Sequence, residues 1–96
     1  MPDAYTSIRN HVLSSLEAHL PDIRSRFGIE TIGIFGSVSR GEDTSESDVD
    51  VLYTFLPEYD NYHTFFDLAE YLELLFQRKV DLVSPAYLKP RIKPYV

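Results

Sequence analysis

The chain has 96 residues, which is enough for one domain with a single hydrophobic core but not for a catalytic domain joined to a separate binding domain. Its net charge of −6, from 15 acidic and 9 basic residues, argues against a general nucleic-acid-binding protein, because such proteins usually carry a basic face. The sequence has no cysteine for disulfides or thiolate chemistry, no apolar run of membrane-span length and no signal-peptide pattern. We therefore expect a soluble cytoplasmic protein in which residues 1–96 form one domain.

The N-terminal part of the chain carries the pattern of an amphipathic helix. Apolar residues recur every three or four positions, which predicts a helix from about residue 3 to residue 20, with Thr6 or Asp3 as its N-cap. Pro21 is expected to end this helix or to start a new turn, because an interior proline removes a backbone hydrogen bond. Apolar residues continue beyond it, and Gly28 is typical of the position that follows a helix end.

Two strands and a polar connection are predicted next. Residues 31–35 are apolar and β-branched and lie between glycines, which predicts a buried strand. The polar residues 36–47 form a connection with room for one helical turn. Residues 48–55 begin with alternating acidic and apolar side chains, so Asp48 and Asp50 would point to the same face of a second strand.

The remaining sequence predicts a loop over residues 57–61, a helix over residues 62–76 and a strand over residues 79–84. Two prolines limit residues 85–96 to one helical turn at most. The helix between the second and third strands is long enough for a parallel crossover. The predicted fold is thus an α/β (α+β) arrangement, a small mixed β-sheet flanked by helices. Aromatic residues of the second helix are expected in the core: Phe65, Phe66 and Phe76.

Gly36 and Ser37 directly follow the first predicted strand. A strand, a Gly-Ser pair and a helical turn would present backbone N–H groups and a hydroxyl to a phosphate, and glycine would let that phosphate approach closely. By itself this signal is weak, since glycines also serve as simple punctuation around strands.

Three aspartates lie on the second and third predicted strands. Asp48 and Asp50 would repel each other on one strand face unless cations stabilise them, and Mg²⁺ prefers such oxygen ligands. The alternative is a pair of solvent-facing aspartates on an edge strand. Asp81 lies among apolar residues, where an unpaired carboxylate is costly, although an edge or capped position is the alternative. Together with the Gly-Ser turn, the three acids indicate metal-dependent phosphoryl or nucleotidyl transfer.

This arrangement resembles a known family. Gly36-Ser37, ten residues and Asp48-x-Asp50 match the signature of the nucleotidyltransferase superfamily that includes DNA polymerase beta. The flanking sequence looks like the minimal nucleotidyltransferase branch of HEPN/MNT toxin–antitoxin pairs, and the resemblance runs from about Ile32 to Leu88. It implies a polymerase beta palm-like fold. The supporting segments are Gly33-Ile34-Phe35-Gly36-Ser37-Val38-Ser39-Arg40-Gly41-Glu42, Ser47-Asp48-Val49-Asp50-Val51-Leu52 and Arg78-Lys79-Val80-Asp81-Leu82-Val83.

The resemblance implies a role for each motif residue. Gly36 and Ser37 would hold the β- and γ-phosphates of a nucleotide, and Asp48 and Asp50 would ligate two Mg²⁺ ions. Asp81 would complete one metal site and help to activate the incoming hydroxyl. The substrate implied is ATP.

The connection between the two strands is strongly acidic. Five acids lie within residues 42–50, which contain no base. Arg40 has two open roles: it contacts phosphate, or it pairs with Glu42 or Asp43 and holds the loop. We expect Glu42, Asp43 and Glu46 to form an acidic rim suited to a basic partner.

The resemblance also implies a partner, a HEPN-domain ribonuclease toxin. Members of the branch neutralise it by binding and, when active, by transferring AMP from ATP to its tyrosine hydroxyl. Two alternatives are a non-catalytic antitoxin that acts by binding alone and a small-molecule nucleotidyltransferase. No direct nucleic-acid or membrane partner is expected.

The histidines show no ligand spacing, and His11 and His19 should face solvent. Tyr59, Tyr62 and His63 could line a base pocket or a partner surface.

Overall fold

The structure is a computed structural model that describes residues 5–85. Its elements follow the predicted order of helix, strand, turn, strand, helix and strand. The bounds are α1 Arg9–Phe27, β1 Ile29–Phe35, a short helix α2 Gly36–Ser39, β2 Val49–Phe55, a 3₁₀ turn Pro57–Tyr59, α3 Tyr62–Phe76 and β3 Val80–Val83.

The three strands form one mixed sheet in the order β1-β2-β3. β1 and β2 pair antiparallel, and β2 and β3 pair parallel through the α3 crossover. This confirms the predicted mixed α/β (α+β) sheet with helices. β2 is the central strand, so residues that follow β1 and residues at the starts of β2 and β3 are brought to one end of the sheet.

The hydrophobic core lies between the two long helices and one face of the sheet. Val49, Val51 and Tyr53 alternate along β2 and are buried, whereas the residues between them are only partly buried. Helices α1 and α3 contact each other and cover this face. The acids of β2 and β3 therefore fall on the other face. The remaining buried apolar residues are Val12, Leu16, Ile23, Phe27, Ile29, Val38, Leu68, Leu72 and Phe76.

Helix α1 differs from its prediction at both ends. It runs unbroken through Pro21 to Phe27, so the expected stop or restart at the proline is wrong. An interior proline costs about 3 kcal/mol. Ile23 and Phe27 lie beyond it and are buried, at about 1.5–3 kcal/mol each, which offsets the cost. The helix then ends with Gly28 in the left-handed conformation, as expected.

The start of α1 has no side-chain N-cap of its own. Ile8 occupies the N-cap position, so the expectation for Thr6 is wrong, and Asp3 lies outside the described residues. The N–H of Ile8 instead donates to the carboxylate of Asp43, 35 residues later in the chain. Asp43 thus anchors the residue before the helix, while the N–H of the first helical residue donates to the hydroxyl of Ser7 at 3.1 Å.

Helix α3 spans the predicted residues and begins with Asn61, whose side chain accepts a hydrogen bond from the N–H of Thr64 at 2.9 Å. Phe76 is buried and Phe65 packs against the core, but Phe66 is 64 % exposed, so its predicted core position is wrong. It lies two residues from buried Leu68, on the other side of the helix.

The predicted turn in residues 85–96 falls outside the described residues, apart from Pro85. Within residues 5–85, no helix is both long and apolar enough to cross a membrane.

Candidate active site

Asp50 is the centre of a cluster formed by three elements at one end of the sheet. It lies on the central strand, opposite Phe35 at the end of β1 and opposite Asp81 on β3. Directly paired residues of neighbouring strands point to the same face, so Asp50 and Asp81 share the face that the long helices leave uncovered. Asp48 precedes β2 by one residue and is exposed, as is Asp81.

Asp50 lies in an environment that disfavours its charged form. Partial burial raises the pKa of Asp50, and the negative charges of Asp81 and Asp48 raise it further. The positive charge of Arg40 acts in the opposite direction but does not cancel them. The predicted site residues Asp48, Asp81 and Arg40 therefore all lie within electrostatic reach of Asp50.

Gly36 connects β1 to α2 directly against this carboxylate. Its φ of +75° favours glycine, and a Cβ added at position 36 would overlap Oδ2 of Asp50. Two properties of glycine are thus used at once, the backbone conformation and the missing side chain. Any larger residue at position 36 would displace Asp50. The spacing in the motif thus places a residue without a side chain beside the second aspartate.

The turn that follows is held by its own hydrogen bonds. The carbonyl of Ser37 accepts from the N–H groups of Arg40 and Glu42, and the hydroxyl of Ser39 donates to the carbonyl of Gly36 at 2.7 Å. Residues 36–39 form the helical turn that the polar connection was predicted to accommodate. Ser37 therefore begins a compact turn beside Asp50.

Arg40 pairs with Glu42 rather than with Asp43. Its Nε donates to Oε1 of Glu42 at 3.0 Å, and both side chains are more than half exposed. An exposed pair of this kind contributes about 0–1 kcal/mol, so it leaves Arg40 free to exchange partners at little cost.

Asp43 does not belong to an acidic rim, which corrects the expectation for this residue. It is only 6 % exposed. Its carboxylate accepts hydrogen bonds from the hydroxyls of Tyr5 and Ser7 and from the N–H of Ile8. Burial tends to raise the pKa of Asp43, but these donors outweigh it and lower the pKa from 3.8 to about 2. Glu42 and Glu46 remain exposed.

Arg78 joins the same region from the connection between α3 and β3. One of its terminal nitrogens, Nη1, donates to the carbonyls of Thr44 and Ser47 at 3.2 and 3.0 Å, and the other, Nη2, donates to the hydroxyl of Tyr5 at 3.2 Å. Sequence reasoning included Arg78 in the family motif but gave it no role. Its partners lie 31 to 73 residues away in the chain, and local patterns carry no signal of such contacts.

The donor set fits a hard divalent cation in its chemistry, since all three candidate ligands are carboxylates. Within residues 5–85, no three His, Cys, Asp or Glu side chains converge closely enough to hold a metal by themselves. Mg²⁺ usually binds through one or two carboxylates, with waters and substrate phosphates as the other ligands, so it does not need a closed protein cage. Burial and the charges of Asp81 and Asp48 raise the pKa of Asp50, and a cation bound beside it would favour its charged form.

Other candidate residues lie apart from this cluster. His11 and His19 are exposed, as predicted, and exposed His63 pairs with Asp67 at 3.3 Å. An open groove of about 660 Å³ lies between the start of α3 and the ends of β2 and β3. Tyr62 lines it, but Asp48, Asp50 and Asp81 do not.

The comparison with known families gives a match over most of the chain. A model of the nucleotidyltransferase domain matches residues 16–96, a range that includes every candidate site residue. The chain belongs to the nucleotidyltransferase domain family. This family membership confirms the resemblance noted in the sequence.

Within the nucleotidyltransferase family, this chain is similar to two named relatives and to one solved structure. Protein adenylyltransferase MntA of Thermococcus cleftensis is 47 % identical over 79 residues, which cover 82 % of this chain and 79 % of the relative. MJ1215 of Methanocaldococcus jannaschii, provisionally named a protein adenylyltransferase, is 38 % identical over 72 % of this chain and 79 % of its own. A structure provisionally assigned as a minimal nucleotidyltransferase superimposes with a TM-score of 0.77 and 34 % identity, covering 92 % of this chain and 88 % of that chain. The fold is thus that of a minimal nucleotidyltransferase.

Proposed function

We propose that this nucleotidyltransferase is an antitoxin that transfers AMP from ATP to a hydroxyl, that of a tyrosine, on a HEPN-domain ribonuclease toxin. The observation that carries the proposal is the packing of Gly36 against Asp50, with Asp81 beside it on the next strand. The relative at 47 % identity, named a protein adenylyltransferase, supports a protein as the acceptor. We further propose that residues 1–96 form one minimal nucleotidyltransferase domain, which takes its acceptor surface from the partner.

Each site residue has a role in this proposal. Gly36 and Ser37 bind the β- and γ-phosphates, and Arg40 contacts phosphate by giving up its exposed pairing with Glu42. Asp48, Asp50 and Asp81 are the ligands of Mg²⁺. Mg²⁺, which we propose to bind as two ions, would neutralise charge on the triphosphate and on the leaving group.

The reaction is an in-line displacement at the α-phosphorus of ATP. The acceptor hydroxyl oxygen forms a bond to this phosphorus, the bond to the bridging oxygen of the β-phosphate breaks, and pyrophosphate leaves with the electron pair. The hydroxyl proton passes towards the carboxylate of Asp81. No covalent enzyme intermediate is required, which agrees with a chain that lacks cysteine.

Position-specific labelling of ATP tests this proposal. The purified protein, Mg²⁺ and a HEPN-domain partner are incubated with ATP labelled at either the α- or the γ-phosphate. AMP transfer places the α-label on the partner and releases the γ-label in pyrophosphate. Asp50→Asn should abolish the labelling, whereas Asp67→Asn, which changes an exposed acid on α3, should not.

Three results would contradict the proposal. Labelling from the γ-phosphate would indicate phosphoryl transfer instead. Labelling that survives Asp50→Asn would remove this carboxylate from the site. If the wild type labels nothing while both it and Asp50→Asn suppress the toxin, the protein acts by binding alone.

A further inference from the structure

Residues 40–48, here called the acidic loop, connect the Gly-Ser turn to Asp48. Asp48 lies at the end of this loop, one residue before β2 begins. On its C-terminal side the backbone is held, because the N–H of Val49 donates to the carbonyl of Lys79 at 2.8 Å. On its N-terminal side, the position of Asp48 depends on what holds the loop. The holding contacts come from two distant parts of the chain.

The first set of contacts comes from Arg78, three residues before Asp81. Its guanidinium donates to the carbonyl of Ser47, the residue that precedes Asp48, and to the carbonyl of Thr44. Thr44 and Ser47 also form two hydrogen bonds with each other. The N–H of Thr44 donates to Oγ of Ser47 at 2.9 Å, and the N–H of Ser47 donates to the carbonyl of Thr44 at 3.1 Å. Arg78 therefore ties the strand that carries Asp81 to the loop that carries Asp48.

The second set of contacts comes from the segment before α1. The hydroxyl of Tyr5 accepts from Nη2 of Arg78 and donates to Oδ2 of Asp43 at 2.5 Å. Asp43 is buried at the other side of the acidic loop and also accepts from Ser7 and from the backbone of Ile8. Tyr5 thus links the guanidinium of Arg78 to the buried carboxylate of Asp43, and the acidic loop is held from both sides.

We propose that Tyr5, Asp43 and Arg78 form a clamp that positions Asp48 against Asp50 and Asp81 and thereby sets the affinity of the site for divalent cations. This inference rests on the proposed function, because it takes the three carboxylates as the metal ligands. The clamp residues are positioning residues; none of them is proposed to touch the metal or the nucleotide.

Positioning and simple electrostatics predict opposite effects for loss of Arg78. Removing a positive charge near an acidic site strengthens the attraction of that site for cations. Removing the clamp releases the acidic loop and weakens cation binding. Loss of groups that orient metal ligands typically costs 10–100-fold in metal affinity. The sign of the change therefore distinguishes the two roles.

Mn²⁺ titrations followed by electron paramagnetic resonance test the clamp on the whole chain without partner or turnover. A non-hydrolysable ATP analogue supplies the phosphate ligands, and the analogue without protein is the blank. The variants are Tyr5→Phe, Arg78→Gln and Arg78→Lys. Arg24→Gln is the matched control, since Arg24 is exposed on α1. Hydrogen exchange at residues 44–48 and the melting temperature are measured on the same samples, so that a variant that fails to fold is recognised. Tyr5→Phe removes one hydroxyl and is the variant least able to disturb folding.

We expect Tyr5→Phe and Arg78→Gln to weaken Mn²⁺ binding about tenfold and to speed exchange at residues 44–48. Arg78→Lys should weaken binding similarly, because one ammonium cannot reproduce the planar fork that reaches three acceptors. Arg24→Gln should match the wild type. Tighter or unchanged Mn²⁺ binding by folded Tyr5→Phe and Arg78→Gln overturns the clamp. A wild type that binds no Mn²⁺ beyond the analogue-only blank overturns the proposed site itself. This result differs from a loss of binding that is confined to the variants.

Discussion

The two connections of the sheet are held in contrasting ways. Between β2 and β3, the chain crosses over through α3, which buries Leu68, Leu72 and Phe76 in the core. Between β1 and β2, the chain runs through the Gly-Ser turn and the acidic loop, which are held by hydrogen bonds from Ser7, Tyr5 and Arg78. One connection is stabilised by burial of apolar surface, the other by polar contacts of defined direction.

The two connections have different roles: the apolar connection stabilises the fold, and the polar connection positions the side chains of the proposed site. Apolar packing tolerates small shifts of side chains, whereas a carboxylate that ligates a metal must be held to within about 0.5 Å. Asp48 and Asp50 lie on or beside the polar connection. Asp81 lies on β3, where it is exposed and pairs with Asp50 rather than packing among the buried side chains of α3. Changes in the buried face of α3 should therefore reduce stability without changing the site, and changes around the Gly-Ser turn should affect the activity of the site more than stability.

The largest effect on stability is expected in the apolar connection. Leu72→Ala removes a fully buried side chain and should lower the free energy of unfolding by about 3 kcal/mol. Leu74→Ala is the matched control, because Leu74 is 71 % exposed on the same helix and should change stability by less than about 0.5 kcal/mol. Urea denaturation measures both. AMP transfer per folded molecule should equal that of the wild type; a selective loss of activity in Leu72→Ala would break the separation.

A smaller effect on stability, with a large effect on activity, is expected for Gly36→Ala. The new Cβ would overlap Oδ2 of Asp50 and meet a φ of +75°, which costs about 1–3 kcal/mol. Displacing Asp50 by about 1 Å should lower AMP transfer about a hundredfold. Gly33→Ala on the preceding strand β1 is the control, since a Cβ there meets nothing within 4 Å. Equal activity of the two variants in single-turnover assays would contradict the role of Gly36.

The smallest effect concerns the pH dependence of the polar connection. The pKa of Asp43 is about 2 in the folded state and near 3.8 when unfolded, so its charged form stabilises the fold above pH 4. That contribution is lost as the pH falls from about 4 to 2. The full shift corresponds to roughly 2 kcal/mol, and screening by nearby solvent reduces it to about 1 kcal/mol.

Asp43→Asn provides the comparison for this pH dependence. The variant should be less stable than the wild type at pH 6 by about 1 kcal/mol, and the two unfolding curves should approach each other as the pH falls below 4. Urea midpoints across this range measure the difference. A constant gap at every pH would show that hydrogen-bond geometry, rather than the charge of Asp43, is responsible.

Local patterns in the sequence predicted much of this molecule. Residues 62–76 form a helix as the apolar periodicity indicated, and the Gly-Ser pair lies beside Asp50 as the family motif implied. These features are encoded within short stretches of chain. The motif also identified the minimal nucleotidyltransferase fold.

Other features depend on contacts between distant residues and were not predictable. Burial of Ile23 and Phe27 keeps α1 helical through Pro21. Asp43 resembles its exposed acidic neighbours in sequence, yet donors 35 to 38 residues away enclose it. The role of Arg78 depends equally on partners that no local spacing reveals.

The most direct test of the central claim is the intact mass of a HEPN-domain partner co-expressed with this nucleotidyltransferase. Co-expression with the wild type should add one or more AMP-sized increments to the partner, mapped to a tyrosine hydroxyl. Co-expression with Asp50→Asn should leave the mass unchanged, although the variant should be at least as stable as the wild type, because the raised pKa of Asp50 shows that its charge is disfavoured in the fold. An unmodified partner with the wild type, or equal modification by both proteins, would contradict the account.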